Sequence, residues 1–575
     1  MVPTEEVDGL TVLADANLRL DANAVDYVLL AFYFALVIGI GALARRRVST
    51  SLDFFLSGRS LPAWVTGLAF ISANLGAIEV MGMSANGAEY GMPTAHYFWV
   101  GAVPAMLFLG VVMMPFYYGS KVRSVPEFML RRFGKGTHLV NGISFATAQV
   151  LIAGANLFLL ASVVNLLLGW PIWVSVIVAA AIVLSYTALG GLSAAIYNEV
   201  LQFMVIVAAL VPLTFVGLYK VGGWEGLVDK VSGGPGGPQQ VDSWPGNQLT
   251  GFDNNVLSVV GLVFGLGFVL SFGYWTTNFV EVQRAMAAKS MSAAMRTPII
   301  GAFPKMFVPF MVIIPGMIAG VAVTELAGEN KAALMAGDDA PSGATFNNAL
   351  LLLMRDLLPN GMLGIAIAGL LASFMAGMAA NLSSFNTVFT YDIWQTYIRK
   401  DRPDGYYLRF GRLVTVVATV LAIGTAFIAS TYANLMDYLQ QLFSFFNAPL
   451  FATFILGLFW RRMSPAAGWS GLVSGTAAAV LVFVLTESGV WTLPGQGGAF
   501  VGAGAAFVVD LVVSIAVSVA TRPKPAAELA GLVYSLTPKE DRTPSRTGED
   551  AGWYRNPTLL AGIALAITIV LNIIF

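Results

Sequence analysis

Residues 63–90 read AWVTGLAFISANLGAIEVMGMSANGAEY. The run is long and apolar enough to cross a membrane, yet its middle carries Ser72, Asn74, Gly76 and Glu79. One acidic residue at the centre of a spanning helix costs about 2.5–3.5 kcal/mol on insertion scales. Non-helical backbone at that depth survives only where it lines a cavity enclosed by protein. The stretch predicts a broken span that holds a polar solute or an ion halfway across a bilayer.

The rest of the chain agrees. Of 575 residues, 57% are hydrophobic and only 11% charged, against about 25% charged in soluble domains. A net charge of −1 gives no basic surface for nucleic acid. Without cysteine there are no disulfides, thiolate metal sites or cysteine nucleophiles, and two histidines, His96 and His138, cannot build a multi-histidine metal centre. The acidic N-terminus lacks the basic region of a cleaved signal peptide.

Apolar runs of spanning length predict an all-α fold of about fourteen transmembrane helices. They cover 26–45, 63–88, 95–118, 138–166, 171–189, 194–219, 256–283, 296–324, 345–390, 408–430, 433–460, 465–486, 499–521 and 556–575. Most of the 31 lysines and arginines fall in alternate loops, in groups such as Arg45–Arg47, Lys121–Lys135, Arg284–Arg296, Arg399–Arg412 and Arg522–Arg555. The positive-inside rule puts those loops in the cytoplasm and both termini outside. Two loops are long: 220–255, Gly/Pro-rich and external, and about 522–555, polar and cytoplasmic. Both read as connectors.

Polar groups inside spans are the candidates for chemistry. They are Asn74 and Glu79 in the second span, Glu199 in the sixth, and Ser271, Tyr274, Trp275 and Asn278 in the seventh. Lys305 lies in the eighth, and Gln440 and Gln441 in the eleventh. The second and seventh spans are both glycine-interrupted and five helices apart, the pattern of an inverted repeat with two broken helices at the midplane. Blander readings stand beside these: Glu199 solvated at a helix end, Lys305 snorkelling or pairing as a strut, Tyr274–Trp275 as interfacial belt, His96 on an outer surface turn. Glu79 has the least room for one.

Over about 53–545 the chain resembles the sodium:solute symporter family, in particular its sodium/glucose cotransporter-like branch. The resemblance rests on FFLSGRSLPAW, ISANLGA, VPEFMLRRFG, LGGLSAAIYNEVLQ, VQRAMAAKS, FNTVFTYDIW, MDYLQQ, LGLFWRR and YSLTPKEDR, in that order. It implies a LeuT-like bundle of two inverted five-helix repeats, 63–219 and 256–460. Residues 1–62 would supply a tail and extra helix before them, and 461–575 three helices after. It implies alternating-access transport across the cytoplasmic membrane by a monomer or weak oligomer, with no partner beyond solute and lipid and no cofactor other than a coupling Na+. By resemblance the substrate site comprises Asn74, Glu79, Tyr97, Phe98, Ser271, Tyr274, Trp275, Lys305 and Gln440. Tyr274 corresponds to an inner-gate tyrosine that stacks on a sugar ring, and Lys305 and Gln440 to hydroxyl-binding residues.

Two departures stand out. A glutamate of sugar-transporting relatives corresponds to Phe98, while Glu79 replaces a neutral or histidine hydrogen-bonder. The family's Na+ site would use carbonyls of Ser72 and Leu75, Ser373, and two hydroxyls that fall here on Ala376 and Gly377. Hard cations demand oxygen ligands, so that site reads as degraded, although Glu199 keeps an acidic position associated with ion coupling. The expected function is secondary transport of a sugar or polyol. Alternatives are H+-coupled or uncoupled transport of another organic solute, or a solute sensor that does not transport. No nucleophile–base pair or metal set points to an enzyme.

Overall fold

The computed structural model describes residues 20, 22–45, 50–432, 434–544 and 552–575. Arg46, Arg47 and Arg546 of the basic loops lie outside them. Helices dominate; among the described residues the one β pairing is a bridge between Leu61 and Ala288. Helices satisfy every backbone group internally, which a bilayer demands.

Among the described residues twelve helices are long and apolar enough to span a membrane, and a bent pair counted as one span makes thirteen. The fourteen expected stretches map onto these plus one shorter helix. The fifth and sixth fall in one helical run, Ile172–Val221, whose apolar portions are Ile172–Ser185 and Leu192–Val221. The first of these is shorter than a full crossing. The expected ninth span, 345–390, is instead two helices, Ala349–Leu357 and Met362–Thr387, the latter continuing as a π-helix to Ile398. Pro359 lies between them, and Gly361, at φ +89°, starts the second.

The ninth span is the centre of the bundle: 89% of its most apolar window is buried, against 28% in the first and last spans. Its N-terminus is capped from another helix. Asp26 Oδ1, in the first span, accepts the backbone N–H groups of Gly361 and Gly364, each at 2.7 Å. A carboxylate there satisfies orphan donors and complements the helix dipole.

The second span breaks where its sequence predicts. Ala63–Asn74 ends in an inverse γ-turn: Leu75 has φ −71°, ψ 50°, and Gly76 N donates to Asn74 O at 2.7 Å. The chain resumes as a helix over 78–90, bent by 59°. Gly76 lies against Gly377 of the ninth span so closely that a Cβ added to Gly377 would stand 2.9 Å from Gly76 Cα.

The seventh span differs from expectation. Its glycines do not break it; Gly261–Ser271 is a π-helix that continues into Phe272–Thr277. Gly265 and Gly273 instead let Phe500 and the Asn447 carbonyl approach, each 3.0 Å from where a Cβ would be. The interruption comes at Asn278, in extended conformation (ψ 115°), before the helix Phe279–Met286. The eighth span is also interrupted, between Met291–Lys305 and Val308–Ala322.

Candidate functional site

The three interruptions converge on one partly enclosed cavity. Asn74, Gly76 and Glu79 enter it from the second span, Ser271, Tyr274, Trp275 and Asn278 from the seventh, Lys305 from the eighth, and Gln440 from the eleventh. Tyr97 lines it from the third.

Lys305 is the last residue of its helix, where the carbonyl end of the dipole favours a cation. The Trp99 indole N–H donates to the freed Met306 carbonyl at 2.9 Å. The ammonium is 1% exposed and bonds Glu79 Oε1 at 2.5 Å; Glu79 is 16% exposed and opens to the cavity. Lys305 also donates to Asn74 Oδ1. Asn74 Nδ2 donates to the Tyr274 hydroxyl at 3.0 Å, and that hydroxyl donates to Glu281 Oε1 at 2.9 Å. The insertion cost of Glu79 is thus offset by a partner more than 200 residues away. Lys305 lies 5.2 Å from the Trp275 ring centroid and 4.7 Å from that of Phe98, within cation–π range.

Of the nine candidate substrate residues, eight line the cavity. Phe98 does not: it is 1% exposed and lies behind the Lys305 ammonium, a wall for the cation rather than a solute contact. Gln440 is buried beside Met436, its Nε2 3.3 Å from the thioether sulfur. Gln441 bonds Ser444 and does not line the cavity. His96, expected on the surface, is fully buried with its ring 3.8 Å from Trp244.

The candidate ion residues surround the Gly76–Gly377 contact. Ser373 Oγ donates to the Leu75 carbonyl at 2.6 Å. Ala376 is fully buried, and Gly377 reaches the cavity wall. The Ser72 hydroxyl is buried without a hydrogen-bond partner among the described residues. Glu199 is elsewhere. It is fully buried, not solvated, and holds Arg284 through two contacts of 2.6 and 3.3 Å.

Three residues were missed in the sequence. Asn156 and Asn381 line the cavity from the fourth and ninth spans; an amide in mid-span was the available signal. The Asn156 carboxamide oxygen stands without a donor at the Gly76–Gly377 contact. Glu281 is fully buried, although its place in VEVQR reads as the start of a cytoplasmic segment.

The arrangement is a cavity with hydrogen-bond donors, acceptors and aromatic faces. Comparison with known proteins gives the same class. Residues 54–475 match the profile of the Sodium:solute symporter family. The sodium/glucose cotransporter of Vibrio parahaemolyticus is 29% identical over 478 residues, covering 81% of this chain and 86% of that one. Sodium/glucose cotransporter 4 of Danio rerio is 30% identical over 483 residues, 82% of this chain and 73% of that one. A Na+-coupled sialic acid symporter, solved in a substrate-bound outward-open state, superposes with a TM-score of 0.70 at 19% identity, over 87% of this chain and 99% of that one. That likeness carries the fold: an all-helical LeuT-like transporter bundle. The chain is therefore a multi-pass membrane transporter, not an enzyme, and belongs to the sodium:solute symporter family.

Proposed function

We propose that this transporter moves a small hydroxyl-rich solute, a sugar or polyol, by alternating access. The moving parts are two five-helix halves, 63–219 and 256–460, and both termini face outside. The observation that carries the reading is the cavity wall at the broken second span. There, Asn74, Glu79 and Lys305 offer paired acceptors and donors beside Tyr274 and Trp275. Hydroxyl arrays need such pairs, and ring faces favour aromatic contact. The sodium/glucose cotransporters among its relatives point the same way.

For coupling, we propose a Na+ site weaker than one with a full hydroxyl set. Of the five candidate positions, Ala376 and Gly377 bring no side-chain oxygen, and the Leu75 carbonyl already accepts from Ser373. The Asn156 carboxamide oxygen and the Ser72 hydroxyl are nearby side-chain oxygens without a hydrogen-bond partner among the described residues. A second reading, coupling to H+ or to nothing, is favoured by that same Ser373–Leu75 bond, which engages two of the candidate ligand oxygens with each other.

The test is thermal stabilisation of the purified protein by D-glucose and a panel of sugars and polyols, with and without Na+. A ligand at 100 times its Kd adds about 2.7 kcal/mol. A solute shift that is insensitive to Na+ supports the weakened site; a shift that requires Na+ overturns it. If no sugar or polyol stabilises the protein or enters proteoliposomes that contain it, the solute class is wrong.

A further inference from the structure

Glu281 has no role in the site as described, yet its surroundings are those of a working residue. It is fully buried. One carboxylate oxygen, Oε1, accepts the Tyr274 hydroxyl. The other, Oε2, is buried with no hydrogen-bond partner among the described residues. A buried carboxylate oxygen without a donor is costly while it carries charge. Tyr274 lines the cavity, and its ring lies 4.6 Å from that of Phe443, across from the eleventh span. Beyond Glu281 the chain runs straight into Arg284 and Lys289, on the side that the basic loops assign to the cytoplasm. Tyr274 therefore stands between the cavity and Glu281, and Glu281 between Tyr274 and the cytoplasmic end.

We infer that Glu281 is a proton-binding site of the transport cycle whose ionisation releases Tyr274 as the inner gate. This rests on the transport reading above. With the gate closed, Tyr274 donates to Oε1 and Oε2 has no donor among the described residues, so a negative charge on the carboxyl is costly and the neutral form fits. Loss of the proton to water gives hydronium and a carboxylate whose Oε2 the closed bundle does not satisfy. Swinging the Tyr274 ring aside brings water to that oxygen, so the ionised form favours the open gate. A proton returned by hydronium to Oε2 leaves water behind and lets the ring close.

The groups that face Glu281 are compatible with both states. Tyr274 is its one hydrogen-bond partner. Arg284 and Lys305 act on it as cations and Glu199 as an anion. The two cations are already engaged, Arg284 by Glu199 and Lys305 by Glu79. The packed helices Ala63–Asn74 and Met362–Thr387 bring no titratable side chain. On the two shorter neighbours, Tyr117 and Tyr118 donate to the carbonyls of Thr276 and Ala288, and Asp53 accepts the Thr50 N–H.

The chain has no cysteine, so a single introduced thiol reports on the gate without a solute. Ile152 lines the cavity. We would place Ile152→Cys in the full-length protein in oriented vesicles and follow its labelling by a membrane-impermeant maleimide from the cytoplasmic side, between pH 5.5 and 7. Rates would be normalised to a free thiol at each pH. Cytoplasmic labelling should rise as pH rises, by about tenfold, the population shift expected when a buried charge without a donor gains water. Glu281→Gln, which cannot ionise, should label at the low rate at every pH. Glu281→Asp, which keeps the carboxyl, should keep a pH-dependent rate. Should Glu281→Gln fail to fold, Glu281→Met, neutral and of similar length, carries the test, with the same flat, slow rate expected. A pH response that survives in Glu281→Gln or in Glu281→Met overturns the inference, as does a flat rate, or one that rises as pH falls, with Glu281 intact. Failure of sugar uptake would count against the solute reading and leave this measurement standing on its own.

Discussion

Replacing Lys305 by methionine should leave Glu79 as an uncompensated carboxylate at the heart of the bundle. The two side chains are 1% and 16% exposed and 2.5 Å apart. Removing one partner of a buried ion pair costs about 3–5 kcal/mol, chiefly because the other charge loses its compensation. Glu79 opens to the cavity, where water can reach it, so the loss should lie near the lower end, about 3 kcal/mol. Methionine keeps most of the apolar stem, so little of the loss comes from packing. Glu79→Gln should cost a similar amount by stranding the ammonium. The double variant, Lys305→Met with Glu79→Gln, carries no charge at the site and should recover most of the loss. The cycle should show a coupling of about 2–3 kcal/mol. Denaturant unfolding in detergent measures the four stabilities. Additive losses would refute the reasoning, because they would mean that each group is solvated independently and that the short contact does not govern either charge. Binding should separate from stability: the double variant regains its fold but binds the proposed hydroxyl-rich solute more weakly, since the ammonium donor is gone and a neutral amide replaces the carboxylate.

Three further outcomes follow. Asp26→Ala should cost about 2–3 kcal/mol, because it uncaps the ninth span at Gly361 and Gly364; unfolding midpoints of Asp26→Ala and Asp26→Asn would show it, with the amide milder. Gly377→Ala should destabilise by about 1–3 kcal/mol and impair transport, since its Cβ meets Gly76 Cα at 2.9 Å; a variant as stable as wild type would mean that the two helices part freely. Lys331 lies in the short helix Glu329–Ala336 and donates to Gln240. Burial pulls its ammonium down to about 8, opposed by the charge of Glu89. The unfolded chain then holds more protons than the folded one between about pH 8 and 10.4, so this group makes stability rise with pH in that window, by up to about 1.4 kcal/mol per unit. Melting temperatures from pH 7 to 9.5 should show the rise in wild type and its loss in Lys331→Gln.

The fold was legible wherever a physical cost was local. An apolar run must be helical in a bilayer, and that places most of the spans between 26–45 and 556–575 to within a few residues. Ser72–Gly76 announced its own break because the γ-turn at Leu75 and the glycine after it are local events. The breaks at Asn278 and Lys305 were less visible. Glycine in the seventh span answers to neighbours that come close, such as Phe500 and Asn447, and those neighbours are distant in sequence. The split of the expected ninth span at Pro359 and Gly361 was readable in principle and was outweighed by the apolar run on either side.

The candidate site divides along the same line. Glu79 and Lys305 each stand out as a charge in an apolar segment, and cost alone marks them. What the sequence does not carry is which charge answers which: Lys305 answers Glu79, whereas Glu199 answers Arg284 and leaves the cavity altogether. Phe98 shows the limit of carrying a role over by position. Its place in the chain matches a solute contact, yet the ammonium of Lys305 sits against its ring, so the aromatic face serves the cation. Glu281 shows the opposite limit. Near two basic residues it looks solvated, and only the packing of the second, eighth and ninth spans around it removes the water. Once that water is gone, the same carboxylate must be satisfied by Tyr274 on one oxygen and by something else on the other. That unmet second oxygen ties the inner end of the cavity to protonation, and it exists only in the assembled bundle.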